Sequence, residues 1–121
     1  MNPRWTGAGG EYQVPFMAAA ARVLKGADVA CPKCAAPHLR HYFHRIDRRA
    51  ETGTVWVWCD NCRTHSHLPR MRPQAPGQRD PFADLDADAF VALELDSELP
   101  FLDRLNDLWA DGRLAPPEGP T

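Results

Sequence analysis

All four cysteines of this 121-residue chain fall in two pairs, Cys31-Pro32-Lys33-Cys34 and Cys59-Asp60-Asn61-Cys62, with 24 residues between the pairs. A two-residue spacing lets both sulfurs of one tight turn face a common point. Four thiolates at about 2.3 Å around one ion make a closed tetrahedral zinc site. The sequence therefore points to one structural Zn²⁺ held by Cys31, Cys34, Cys59 and Cys62. The start, Met1-Asn2-Pro3-Arg4-Trp5, carries no long apolar run of the secretory kind. Paired cysteines without such a run indicate a reducing cytoplasmic setting and a metal site rather than disulfides. The longest nearly uncharged stretch, Tyr12 to Ala21, is far too short to span a membrane.

Other candidate chemistry is sparse. His38, His41 and His44 precede the second pair, and His65 and His67 follow it. A catalytic zinc keeps three protein ligands and one open position. Four cysteines already fill the sphere, so the histidines read as hydrogen-bonded or solvent-facing strand residues. A second metal on His65 and His67 is the weaker alternative. The chain has no G-x-S-x-G, no glycine-rich phosphate loop and no H-E-x-x-H. The expectation is a protein that is not an enzyme.

The cysteine pairs need short elements to position them, because 121 residues cannot bury a large core and a metal staple compensates. Residues 1–13, with Gly7, Gly9 and Gly10, read as a flexible arm. Residues 14–28 read as a packing helix, with Pro15 in its first turn, Val14, Met17, Ala21 and Leu24 on one stripe, and Gly26 as its stop. His38 to Asp47 reads as a half-exposed strand, and Arg48 to Gly53 as a hairpin connection. Thr54-Val55-Trp56-Val57-Trp58 is the strongest strand, with Val55, Val57 and Cys59 on one face and Trp56 and Trp58 on the other. Thr64 to Leu68 reads as a short closing strand. Residues 69–81 hold Pro69, Pro73, Pro76 and Pro81 and read as a linker. Residues 82–114 read as an acidic helical segment. One helix runs from Asp86 to about Leu95, and a second carries Phe101, Leu105, Leu108 and Trp109 up to Gly112. Residues 115–121 read as a tail.

The spacing C-x₂-C-x₂₄-C-x₂-C, with strands between the pairs, resembles the zinc-ribbon (rubredoxin-like) family over roughly Val29 to Leu68, about a third of the chain. The resemblance implies two metal-binding knuckles on adjacent hairpins with the four cysteines as ligands. It implies little about function, because ribbons serve transcription, ribosomes, enzymes and partner binding alike. One departure stands out. Many ribbons carry glycine just after the second cysteine of a knuckle, and this chain has Ala35 and Arg63 there. That weighs against an iron-binding, rubredoxin-like electron carrier. Lys33 and Arg63 are placed to offset the −2 charge of a zinc–tetrathiolate cluster. The expected fold is α+β: a small antiparallel zinc-ribbon sheet at 29–68 with one N-terminal helix and two short C-terminal helices.

The net charge of −2 hides a division, because residues 1–79 hold 12 Lys/Arg against 5 Asp/Glu and residues 80–121 hold 2 against 11. Twelve prolines and only two lysines match the usage of a GC-rich bacterial genome. Three functions follow. The first is a non-catalytic module acting by protein–protein contact, of adaptor or immunity/inhibitor type, in which an acidic face meets a basic partner. Its candidate anchors are Trp56, Trp58, Phe101 and Trp109, unless the acidic segment folds back on the basic ribbon and buries them. The second is nucleic-acid binding in transcription or its regulation, in which Arg40, Arg45, Arg48 and Arg49 beside the tryptophans contact phosphate and stack on bases. The third is the iron electron carrier.

Overall fold

The computed structural model of the chain describes residues 5–47, 52–72, 82, 88 and 101–114. In chain order the elements are strand β1 (Thr6–Gly7), a 3-10 turn (Gly10–Tyr12), helix α1 (Gln13–Val23), β2 (Arg40–Asp47), β3 (Thr52–Trp58), β4 (Thr64–Met71) and helix α2 (Phe101–Ala110). The strands form one sheet in the order β1-β4-β3-β2. β2, β3 and β4 are antiparallel neighbours, whereas β1 pairs parallel with β4. The sheet is therefore mixed, which corrects the expected antiparallel one. Two α-helices lie among the described residues. Of the expected helix from Asp86 to about Leu95, only Asp88 falls among them.

β3 organises the fold because its alternation is used on both faces. Val55 and Val57, followed by Cys59, join Phe16, Ala19, Ala20 and Val23 of α1 in a first core, with Val29, Cys31 and Leu39. Trp56 and Trp58 join Tyr42, Phe82, Phe101, Leu102, Leu105 and Leu114 in a second core. The result is three layers, α1 on the sheet and the sheet on α2. A β-branched and aromatic run covered on both sides needs no polar face.

Several expectations change. The helix at the N-terminal end forms, but of the expected stripe Val14 and Met17 face outward, at 71 % and 45 % exposure, while Leu24 is buried in the first core. The buried set Phe16, Ala19, Ala20 and Val23 has the same helical spacing and includes the larger anchor, so burial selects it. The expected arm is built into the fold from Trp5 onward, since Thr6 N donates to Arg63 O (2.8 Å) and Ala8 N to His65 O (2.7 Å). β4 runs on to Met71, through Pro69, which sequence reading assigned to the linker. The strand tolerates Pro69 where the β3–β4 register shifts between Gly53 and Val55. Residues 73–81 of that linker, the tip of the β2–β3 hairpin and the tail lie outside the described residues.

Both helices stop as their glycines indicate. Gly26 and Gly112 take φ of 93° and 75°. Ala27 N donates to Arg22 O and Gly26 N to Val23 O, and the same pair recurs as Arg113 N to Leu108 O and Gly112 N to Trp109 O. Each glycine thus lets the chain reverse while satisfying the last carbonyls of its helix.

Candidate metal centre

The first cysteine pair lies in the turn before β2, and the second in the turn between β3 and β4. The two turns are built alike. Ala35 N donates to Cys31 O (2.9 Å) and Cys31 N to Ala36 O (2.8 Å); Arg63 N donates to Cys59 O and Cys59 N to Thr64 O, both at 3.0 Å. Each turn needs its fifth residue in the left-handed region. Ala35 and Arg63, the residues standing where ribbons often place glycine, adopt it at φ 64° and 57°.

The four sulfurs converge. Cys31, Cys34, Cys59 and Cys62 place all their Sγ atoms within 4.8 Å of one another. Cys31 and Cys62 are 3.7 Å apart, and Cys34 and Cys59 are 3.5 Å apart. A tetrahedron of sulfurs about 2.3 Å from its centre has edges near 3.8 Å, whereas a disulfide needs about 2.05 Å. The four thiols are free, and their spacing is that of a metal site rather than of two disulfides. Cys31 and Cys59 are buried at the end of the first core, and Cys34 and Cys62 are half-buried.

The surroundings set the thiol chemistry. Burial pushes the Cys31 thiol up and the Cys59 thiol up to about 12. The Asn61 amide, 3.5 Å from Cys34 Sγ, is the main influence pulling Cys34 down to about 6. A bound cation removes this conflict, since a coordinated thiol ionises and the buried sulfurs gain a partner. Lys33 N donates to Cys31 Sγ (3.4 Å), and Thr64 Oγ1 lies 3.4 Å from Cys62 Sγ. Such contacts from the outer shell orient the ligands and take up anionic charge. The charged ends of Lys33 and Arg63, expected to do this, have other contacts. Lys33 Nζ lies over the Tyr12 ring and the Arg63 guanidinium over the Trp5 ring, at 5.5 and 4.7 Å.

Among the described residues the four cysteines are the one group of three or more metal-ligating side chains. The histidines have local contacts. His67 stacks flat on Trp56, with centroids 4.1 Å apart, and hydrogen-bonds Thr54. His44 Nδ1 meets Tyr42 Oη at 2.8 Å inside the second core. His38 pairs with Asp28 at 2.7 Å, and His41 lies edge-on to Trp109. Burial holds His41 down to about 4 and lowers His65 and His67 as well.

The residues read as partner-binding are placed unequally. Trp56, Trp58 and Phe101 are inside the second core at 4 %, 0 % and 9 % exposure. Trp109 is half-buried. Arg40 Nη1 donates to Asn106 Oδ1 (2.6 Å), and Arg45 is exposed. Arg48 and Arg49 lie outside the described residues. The acidic helix thus docks over the tryptophans.

Sequence reading missed what holds α2 there. Asn106 Oδ1 accepts from Arg40 and from Trp58 Nε1 (3.0 Å), while Asn106 Nδ2 donates to Asp60 Oδ1 (2.7 Å). Asp103 accepts from Trp5 Nε1 (2.8 Å) and pairs with Arg63 at 3.4 Å. The signal was present: Asn106 sits in the helical stripe of Leu102, Leu105 and Trp109, where a polar side chain needs a specific partner. A cleft of about 580 Å³ opens beside the second knuckle, its lining including Asp28, His38, His41, Asp60 and Trp109. No helix among the described residues is long and apolar enough to cross a membrane.

A scan against protein-family models and searches of curated proteins and of solved structures each returned no match.

Proposed function

We propose that this chain is a non-catalytic zinc-ribbon protein that acts by protein–protein contact, presenting its acidic C-terminal segment (residues 80–121, with 11 Asp/Glu against 2 Lys/Arg) to a basic partner in the manner of an adaptor or an immunity-type inhibitor. The observation that carries this reading is how the charge and the aromatics are sorted. α2 turns Phe101, Leu102 and Leu105 inward and leaves Arg104 and Asp107 exposed, with Asp111 and Arg113 exposed just past its end. The half-buried Trp109 lines the adjoining cleft, whose wall includes Asp28 and Asp60. An aromatic ring beside carboxylates suits a lysine- or arginine-bearing surface, through charge and through contact with the ring face. The four-sulfur set supports a structural role for the metal, since it offers no open coordination position. Zinc is the proposed ion. An iron site would colour the protein red, and elemental analysis with an absorption spectrum decides between the two.

The nucleic-acid reading draws less support. Arg40 and Arg63 are occupied within the fold, and Trp56 and Trp58 are not available for stacking in this arrangement. The test uses affinity capture from the native host with the zinc-loaded chain and with an Asp107→Lys/Asp111→Lys variant. A partner retained by the first and released by the second, in a salt-sensitive way, is the expected result. Salt-sensitive binding of short oligonucleotides, unaffected by the double substitution, would replace this reading with the nucleic-acid one.

A further inference from the structure

We propose that occupancy of the four-cysteine centre is coupled to the docking of α2, and that the two residues carrying the coupling are Asp60 and Arg63 of the second knuckle. This rests on the metal reading above and adds a function for the bound ion beyond stapling the ribbon.

Asp60 lies between the two cysteines of the second knuckle, and Arg63 follows Cys62 directly. Their backbone is fixed by the geometry that brings Cys59 and Cys62 to one point. Both side chains leave that turn for α2. Asp60 Oδ1 takes the Asn106 Nδ2 hydrogen bond at 2.7 Å. Arg63 reaches Asp103 at 3.4 Å while lying over Trp5, which itself donates to Asp103 at 2.8 Å. The remaining face of Asn106 is met by Arg40 and Trp58, so its side chain has specific partners on both ends. The knuckle, α2 and the β1 segment therefore share one polar junction.

Arg63 makes this junction conditional. It holds φ at 57°, a left-handed conformation that a residue with a Cβ abandons unless its surroundings enforce it. Return to negative φ redirects the side chain away from Trp5 and Asp103. A ribbon with glycine here would close its knuckle without strain and would have no side chain to transmit anything. In this chain the bound ion holds the knuckle closed, the closed knuckle aims the guanidinium, and the guanidinium holds α2 and Trp5. Loss of the ion loosens α2 and opens the face formed by Tyr42, Trp56 and Trp58.

Coupling of this kind is reciprocal, so weakening the α2 end must weaken metal binding. The experiment uses the full chain under reducing conditions, with zinc content fixed first by elemental analysis. A chain that holds no metal would thereby be recognised separately from one whose metal is uncoupled. Zinc affinity is then measured by competition with a chromophoric chelator for the wild type, Asn106→Ala and Asp103→Asn. The last is nearly isosteric and guards against a variant that does not fold. Asn106→Ala is expected to bind zinc at least about fivefold more weakly, and Asp103→Asn about threefold more weakly. In zinc-loaded Asn106→Ala, amide exchange over 101–110 should accelerate while that of 55–58 stays at the wild-type rate. Zinc affinities equal to wild type in both variants, with exchange over 101–110 accelerated, would overturn the proposal.

Discussion

The two knuckles invite a paired substitution, because they share one backbone geometry and differ in what the left-handed residue does with its side chain. Ala35 at φ 64° is exposed, so replacing it with glycine removes a methyl group that packs on nothing of consequence. The left-handed region costs a residue with a Cβ roughly 1–2 kcal/mol. Glycine returns roughly 0.5–1 kcal/mol of that through its freer unfolded chain. Ala35→Gly should therefore stabilise the protein by about 0.5–1 kcal/mol. Arg63→Gly gains the same relief but loses the contact with Trp5, worth about 0.5–1 kcal/mol. It also loses the ion pair with Asp103, whose side chains are 21 % and 14 % exposed, worth about 1 kcal/mol at that partial burial. The net for Arg63→Gly is a loss of about 0.5–1.5 kcal/mol. The strain relief cancels between them, so the two glycine variants should separate by the lost Arg63 contacts, about 1.5–2 kcal/mol, or roughly 6–8 °C in Tm for a domain of this size. The assay is thermal unfolding of the zinc-loaded proteins by circular dichroism at low salt. About 1 M salt should narrow the gap by screening the Arg63–Asp103 pair. Equal shifts of the same sign would refute the anchoring role of Arg63. A destabilised Ala35→Gly would refute the strain argument itself.

Other outcomes follow from the same geometry. Cys59→Ser removes one of the two buried ligands and should abolish the cooperative near-ultraviolet transition and leave zinc bound at least about a hundredfold more weakly, because metal-binding free energy in such sites is folding free energy; an unchanged melting temperature would exclude a structural metal. Leu105 is fully buried between α2 and the tryptophans, so Leu105→Ala should cost about 2–5 kcal/mol in denaturant unfolding. A Cβ on Gly53 would collide with the His44 carbonyl oxygen and stand 2.8 Å from Arg45 Cα; Gly53→Ala should therefore distort the β2–β3 pairing and cost at least about 2 kcal/mol, visible as accelerated amide exchange along β2. His41 is held near 4 by burial, while in the unfolded chain it titrates near 6.5. The unfolded state thus binds the proton first, and stability falls as pH drops from about 6.5 to 4, by up to about 3 kcal/mol. His65 and His67 act in the same direction. Urea midpoints at saturating zinc should show a shallower pH slope in His41→Gln than in the wild type.

The sequence alone determined the local chemistry. The spacing of Cys31, Cys34, Cys59 and Cys62 marked out the four-thiol cluster that could hold an ion, because two intervening residues permit few other uses of a tight turn. Alternation in Thr54 to Trp58 sorted the valines from the tryptophans correctly, since strand side chains have a strict period of two. Gly26 and Gly112 marked the helix ends, because positive φ leaves few other residues suitable. The tertiary structure decided what periodicity leaves degenerate. α1 carries two apolar stripes, and only the sheet beneath it selects Phe16 over Met17. The parallel pairing of Thr6–Gly7 with β4 carries no residue signature, since two residues hold no pattern. The destination of Trp56, Trp58 and Phe101 was likewise open, because an aromatic anchor has the same composition whether it meets a partner or its own chain. The structure packs all three into the core between the sheet and α2, Phe101 from the helix itself. It also assigns the residues that replaced the expected glycines. At Ala35 the replacement is a turn in the left-handed region with an exposed methyl group, and at Arg63 a residue in the same conformation pairs its guanidinium with Asp103 of the helix above the four-cysteine cluster. The physical reason is that knuckle geometry is local and can be read from spacing, whereas the direction of a side chain leaving the knuckle has meaning only once its partner layer is in place.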